Sequence, residues 1–253
     1  GDLYVAALDS VLRFAEIESN LTSAAPFVVV TDTLPDERLH GWKYIKFGPD
    51  GHLYVPVGAP CNLCESEDER FASILRMDPD DGTTTVYAHG VRNSVGFAWH
   101  PQSGQMWFSD NGRDLMGDDV PPEEINIVTQ PGEHFGYPYV HAADVLDPEF
   151  GIGADPDIYA DPAFQIQAHS AALGMTFYTH DAFPPPYHGA LFIAEHGSWN
   201  RSSKVGYRVS VVTFGAEPRY RPFVEGWLQG ERDWGRPNDV LITPDGTLLI
   251  SDD

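Results

Sequence analysis

An all-β chain, built as a fragment of a six-bladed β-propeller with incomplete terminal blades, is the fold class that three features of the 253-residue sequence predict. A glycine-led apolar run of strand length recurs five times, a hairpin signal built on Pro and Gly precedes three of the copies, and the interval is near 50 residues. Hairpins at that period with no amphipathic helix between them are the pattern of propeller blades.

The copies read GDLYVA from Gly1, GHLYVP from Gly51, GQMWFS from Gly104, GALFIA from Gly189 and GTLLIS from Gly246, spaced 50, 53, 85 and 57 residues apart. Each is expected to be the second strand of a blade. The first strand and its turn are visible ahead of three of them, in YIKFGPDG, GFAWHPQSG and VLITPDG, where Pro presets φ and Gly accepts positive φ. The 85-residue interval is expected to hold one blade plus an insertion, DVLDPEFGIGADPDIYADPAF, that reads as surface loop. The first copy opens in a second strand and the last ends just after one, so both terminal blades are expected to be cut within a single domain spanning 1–253. A β-sandwich would not explain the recurring turns.

Composition narrows the function. At 42% hydrophobic and 12% aromatic the chain is not disordered, and 24 Gly with 21 Pro demand many turns. No 18-residue apolar run and no basic-flanked leader are present, so neither a membrane span nor a signal peptide is expected. A formal charge of −23 would repel a phosphate backbone, which argues against nucleic acid as a partner. Cys61 and Cys64 form one C-x-x-C in a Gly-rich loop; without a second pair for zinc, a small disulfide in an oxidising compartment is the better use.

In a blade the start of the first strand and the end of the second meet at one rim. Counting nine residues back from Pro49, Pro101 and Pro244 gives His40, Arg92 and Gly235, with Arg236 beside the last; the matching station ahead of LGMTFY offers Ser170 and His169. The second strands run out at the same rim into GAPCN, DNGRD, EHGSWN and SDD, contributing Asn111, Gly112, Arg113, His196, Trp199, Asn200 and Arg201. Imidazole and guanidinium groups converging over a central channel in an acidic protein point to an anionic organic ligand, because guanidinium matches carboxylates and stacks on flat rings. Within DNGRDLMGDDVPPEEINIV, Asp118, Asp119, Glu123 and Glu124 are candidate oxygen ligands for a hard cation, although no EF-hand spacing is present.

The stretches HGWKYIKFGPDGHLYVPVGAPCNLC, GVRNSVGFAWHP, DNGRD with PPEEIN, PGEHFGYPYV, AEHGSWNRS and GRPNDVLITPDG resemble the soluble quinoprotein sugar dehydrogenases. These are the six-bladed glucose, aldose and sorbosone dehydrogenases dependent on pyrroloquinoline quinone (PQQ), and the sorbosone-type branch is the nearest through GAPCN and AEHGSWNR. The resemblance spans essentially the whole chain. It implies that His40 is the general base toward a sugar hydroxyl, that Arg92 and Asn93 face the reactive quinone oxygens, and that Arg236 clamps a PQQ carboxylate. It further implies that carbonyls of Gly112 and Arg113 hold a calcium ion, in place of the family's Gly-Pro step. Asn111, His169, His196 and Arg201 complete the expected cofactor surroundings. Leu39 stands where glucose-type members carry an acid, and Asn238 where they carry a second clamping arginine, so substrate preference is left open. The resemblance also implies a periplasmic or secreted enzyme that passes electrons to a quinone or cytochrome. Two other readings of the same architecture are a calcium-dependent lactonase or esterase and a non-catalytic binding propeller.

Overall fold

In a computed structural model that describes residues 1–22, 26–215 and 218–253, the chain is all-β, with no α-helix and three single turns of 3₁₀ helix among the described residues. Five main sheets follow one another along the chain. The first joins Leu3–Ala6, Val11–Phe14 and Phe27–Thr31. The second runs from Lys46–Phe47 through Leu53–Val57 and Ser73–Met77 to Thr84–His89, with Glu133–His134 added parallel at its outer edge. Phe97–Trp99, Met106–Asp110, Glu123–Ile127 and Phe164–Ile166 make the third, and Ala172–Phe177, Leu191–Glu195, Arg208–Thr213 and Arg219–Val224 the fourth. The fifth pairs Pro237–Ile242 with Leu248–Asp252.

All five glycine-led runs are therefore strands; those led by Gly51, Gly104, Gly189 and Gly246 are second in their sheets, as the repeat requires, whereas Leu3–Ala6 is the first, edge strand of its three-stranded sheet. The turns work as read from sequence: Gly51, Gly104, Gly189 and Gly246 sit at φ of +80, +70, +78 and +84°, where a side chain would be strained. The middle copies, Leu53–Val57, Met106–Asp110 and Leu191–Glu195, are buried along their whole length. That explains their consecutive apolar residues at 53–57, 106–108 and 191–194, since both faces of each sheet are covered by neighbours. The strands of the terminal sheets alternate instead, leaving Leu3, Val5, Leu241 and Leu249 exposed.

Four apolar clusters correspond to the four junctions between consecutive sheets. Val11 with Val55 and Leu75 seals the first, Phe97 with Tyr54 and Ile74 the second, Met175 with Trp107 and Ile125 the third, and Val240 with Phe192 and Tyr178 the fourth. The inner strands approach most closely at equivalent repeat positions: a Cβ on Gly96 would lie 2.1 Å from the Leu173 carbonyl, and one on Gly174 would lie 1.9 Å from Asp239 Oδ1. Trp99 Nε1 donates to the Phe47 carbonyl at 3.0 Å, joining the inner strands of the second and third sheets. The sheets thus wheel about a common side as an arc that does not close into a ring.

The insertion departs from expectation in one respect. It lies between the third and fourth strands of the third sheet, its last residue, Phe164, opens that fourth strand, and it is anchored by a buried acid rather than lying wholly on the surface. Asp147 accepts from Arg113 Nη1 at 2.6 Å, sits 3.0 Å from His141 Nε2, and caps the backbone N–H groups of Glu149 and Phe150. Those bonds outweigh its burial and hold its carboxyl at about 2. No helix among the described residues is long and apolar enough to cross a membrane.

Candidate active site

At one end of the arc, in the third, fourth and fifth sheets, the residue leaving the second strand donates its backbone N–H to a residue ahead of the first. Asn111 N reaches the Asn93 carbonyl at 3.1 Å, His196 N that of Ala171 at 2.9 Å, and Asp253 N that of Arg236 at 3.1 Å. Further bonds pass from sheet to sheet: Ala59 N to the Arg92 carbonyl at 2.7 Å, Asn111 Nδ2 to the Ala172 carbonyl at 3.1 Å, and Arg236 Nε to the His196 carbonyl at 3.1 Å. His40, Arg92, Asn93, Asn111, His196 and Arg236, separated by up to nearly 200 positions in sequence, are thereby strung along one rim.

His40 is held at φ 54° in a turn closed by Gly41 N bonding to the Arg38 carbonyl at 3.1 Å. Its Nδ1 donates to the Ala59 carbonyl at 2.8 Å, which leaves the lone pair on Nε2. Burial, with the Arg92 charge adding, lowers its pKa to about 4, so the ring is neutral at neutral pH. Gly58 makes this packing possible, because a Cβ there would lie 2.4 Å from His40 Cβ and 3.3 Å from the Arg92 carbonyl.

Arg92, only 4% exposed, is fixed by its own backbone and by its guanidinium. Its N–H and that of Asn93 are accepted by Asp110 Oδ2 and Oδ1 at 2.8 and 2.6 Å. The guanidinium donates to the Asn62 carbonyl, Asn62 Oδ1 and the Asn111 carbonyl at 3.0, 2.8 and 2.9 Å, and reaches Asp114 at 3.4 Å. One Nη1 hydrogen and the Asn93 amide have no partner among the described residues. The Asn111 amide nitrogen is spent on the Asn93 and Ala172 carbonyls.

Arg236 sits 5.4 Å over the Tyr207 ring and gives Nη2 to the Gly197 carbonyl at 2.6 Å. No carboxylate lies within 4 Å of its guanidinium among the described residues, and its Nη1 is uncommitted. His196 is half-buried with its pKa lowered by burial and by Arg236. His169 is buried, with Nε2 2.8 Å from the Gly117 carbonyl. Arg201 is occupied within the protein: it donates to the Asp118 and Ala168 carbonyls, to Asp119 at 3.0 Å and to the Ser203 carbonyl, latching the loop after the third sheet's second strand to the loop after the fourth's. Trp199 stands 75% exposed beside that latch.

The four acids offered as cation ligands are not gathered. Asp118 accepts from Ser202 N and Asp119 pairs with Arg201, while Glu123 and Glu124 turn inward. Glu123 takes the N–H groups of Gly112 and Ala171, and Glu124 takes Asn126 Nδ2 and Ala142 N. Burial raises both carboxyls to about 7. Buried acids bind backbone donors here because unpaired N–H groups cost more than a protonated carboxyl. The carbonyls of Gly112 and Arg113 accept no hydrogen bond among the described residues, whereas the Arg113 side chain is committed to Asp147.

Sequence reasoning missed the acids that end second strands. Asp110 and Asp252 each accept the backbone N–H of the arginine that opens their own sheet, Arg92 and Arg236. The signal was the repeated acid in SDN and SDD. Asn62 and Tyr207 were also missed, and no local pattern marks them.

A family model described as glucose / sorbosone dehydrogenase matches residues 7–253. An uncharacterised protein of Borreliella burgdorferi is 39% identical over 225 residues, covering 86% of this chain, which spans 59% of that relative's length. The calcium structure of the Trichoderma reesei enzyme of Carbohydrate-Active Enzymes Family AA12 superposes with a TM-score of 0.77 at 21% identity, over 100% of this chain and 76% of that one. The holo form of the pyranose dehydrogenase PQQ domain from Coprinopsis cinerea gives 0.77 at 18% identity, over 99% and 76%. The folds agree throughout, and the family match extends across every sheet that builds the rim; the chain belongs to the glucose / sorbosone dehydrogenase family.

Proposed function

We propose that the protein is a PQQ- and calcium-dependent oxidoreductase that oxidises an aldose or a sugar aldehyde of the sorbosone kind, on an arc of a six-bladed propeller. The observation that carries this reading is the rim itself: a neutral imidazole with a free Nε2, two arginines and an unpartnered amide brought to one end of successive sheets. The residues fit the cofactor. Arg236 offers a guanidinium without an acid partner to a carboxylate, Asn93 and the remaining Arg92 N–H offer donors to quinone oxygens, and the free carbonyls of Gly112 and Arg113 are hard oxygen ligands suited to calcium. His169, His196, Asn111 and Arg201 are assigned to the cofactor's surroundings in this reading, the last chiefly as a loop latch.

When bound, PQQ supplies the two-electron acceptor for the hydride that leaves the sugar carbon. His40 Nε2 takes the hydroxyl proton as that hydride departs, while the Nδ1 bond to Ala59 keeps the ring in the required tautomer. Arg92 and Asn93 present donors where negative charge develops, from backbone positions already fixed by Asp110. From an aldose hemiacetal the product would be a lactone, and from an aldehyde, reacting as its hydrate so that His40 again meets a hydroxyl, an acid; an external quinone or cytochrome would be the final acceptor. A periplasmic or extracellular location fits the Cys61–Cys64 disulfide.

Reconstitution of the full-length protein with PQQ and calcium, followed by dye reduction across aldoses, sorbosone and simple aldehydes, tests the reading. Substrate-dependent dye bleaching is expected for at least one sugar class. A protein that takes up PQQ yet reduces dye with none of them would contradict it.

A further inference from the structure

The rim contains one device that the reaction above does not use. Cys61 and Cys64 are joined, and the loop they close carries Asn62. Asn62 receives Arg92 in a fork, its carbonyl taking Nε at 3.0 Å and its Oδ1 taking Nη2 at 2.8 Å. The same side chain ties down the loop that follows Asn111: Oδ1 also accepts Asp114 N at 2.9 Å, and Nδ2 donates to the Asp114 carbonyl at 3.2 Å. Tyr137, from a distant segment, closes the assembly by accepting Cys64 N at 3.0 Å on its hydroxyl.

A buried arginine is ordinarily met by a carboxylate, which fixes it and cancels its charge at once. Here the fork is built from a neutral amide and a carbonyl, and the one acid paired with the guanidinium among the described residues, Asp114, stands 3.4 Å from Nη2. Orientation thus comes mainly from neutral acceptors, and the charge is met only by one long ion pair to Asp114. The charge is still felt at His40, which Arg92 helps to keep unprotonated.

We propose that Asn62, clamped by the Cys61–Cys64 loop, is a positioning residue that aims Arg92 into the cofactor site while leaving its charge available to an anionic ligand. The inference rests on the PQQ reading given above. It separates two requirements that a structural role would not: the two-acceptor geometry of the fork, which an acid at position 62 would preserve, and a charge not cancelled within that fork, which an acid would destroy.

The test is PQQ affinity, measured by absorbance titration on the full-length protein with calcium present, alongside thermal unfolding. Asn62→Ala removes half of the fork and is expected to weaken PQQ binding about tenfold, the usual worth of one hydrogen bond to a charged group. Asn62→Asp keeps both acceptors of the fork but gives up the Nδ2 bond to the Asp114 carbonyl, as Asn62→Ala does; it is expected to melt no lower than Asn62→Ala yet to lose affinity by at least as much. In an Arg92→Ala background, Asn62→Ala is expected to change affinity no further. The paired Cys61→Ser and Cys64→Ser substitutions are expected to weaken binding through the same route. Parent-like affinity in Asn62→Ala or in Asn62→Asp, or an undiminished effect of Asn62→Ala when Arg92 is already absent, would overturn the inference alone. A parent protein that binds no PQQ would overturn the proposed function, and this inference with it.

Discussion

A histidine makes a base only if the right nitrogen is free and the ring is unprotonated, and His40 satisfies both through one hydrogen bond and its burial. His40→Ala is expected to retain PQQ binding and to lose turnover by roughly two to four orders of magnitude, the range for a general base; unchanged dye reduction would refute the role. The pH profile provides a second check. With its pKa lowered from 6.5 to about 4, the imidazole is neutral at every pH above that value, so kcat/KM is expected to hold on acidification to about pH 5 and to fall through about 4. An acid limb at 6.5 would contradict the burial argument. The sign for folding follows the same shift: the unfolded chain takes up this proton first, so stability is lost as pH drops from 6.5 toward about 4.

At the level of strands and turns, most of the architecture was legible because its causes are local. A Pro-Gly turn fixes a hairpin with the residues it contains, and the pairs Phe47 with Leu53, Trp99 with Met106 and Ile242 with Leu248 lie where the turns required. Outer strands such as Arg219–Val224 and the parallel Glu133–His134 carry no such punctuation, and their partners are chosen by packing at a distance. The site divides along the same line. His40, Arg92 and Arg236 could be found by counting from the turns, whereas Asn62, Asp110 and Asp252 matter only through bonds to those residues. Two glycines test how tightly the inner strands are fitted. Gly58→Ala places a Cβ 2.4 Å from that of His40, and a displacement of that kind is expected to cost about 10- to 100-fold in turnover. Gly174→Ala intrudes on Asp239 at the junction of the fourth and fifth sheets, and is expected to destabilise by about 1–3 kcal/mol through overpacking, visible as a lower Tm. Parent-like kinetics for the first, or an unchanged melt for the second, would show that the strands have room to move.

Across the whole molecule, the formal charge of −23 makes the cationic rim stand out as the place where an anion is welcome. A ligand that binds only the folded protein raises its stability by about 2.7 kcal/mol at a hundredfold excess over Kd. PQQ with calcium is therefore expected to raise the Tm, and a chelator to reverse the shift if the Gly112 and Arg113 carbonyls hold the ion; a chelator without effect would remove calcium from the scheme. The most direct measurement is an experimental structure of the full-length protein with PQQ bound. The cofactor is expected at the rim, with a carboxylate on Arg236, its quinone edge toward Arg92 and Asn93, and His40 Nε2 facing the sugar's place. PQQ lodged elsewhere, with those side chains turned away from it, would contradict the proposed site.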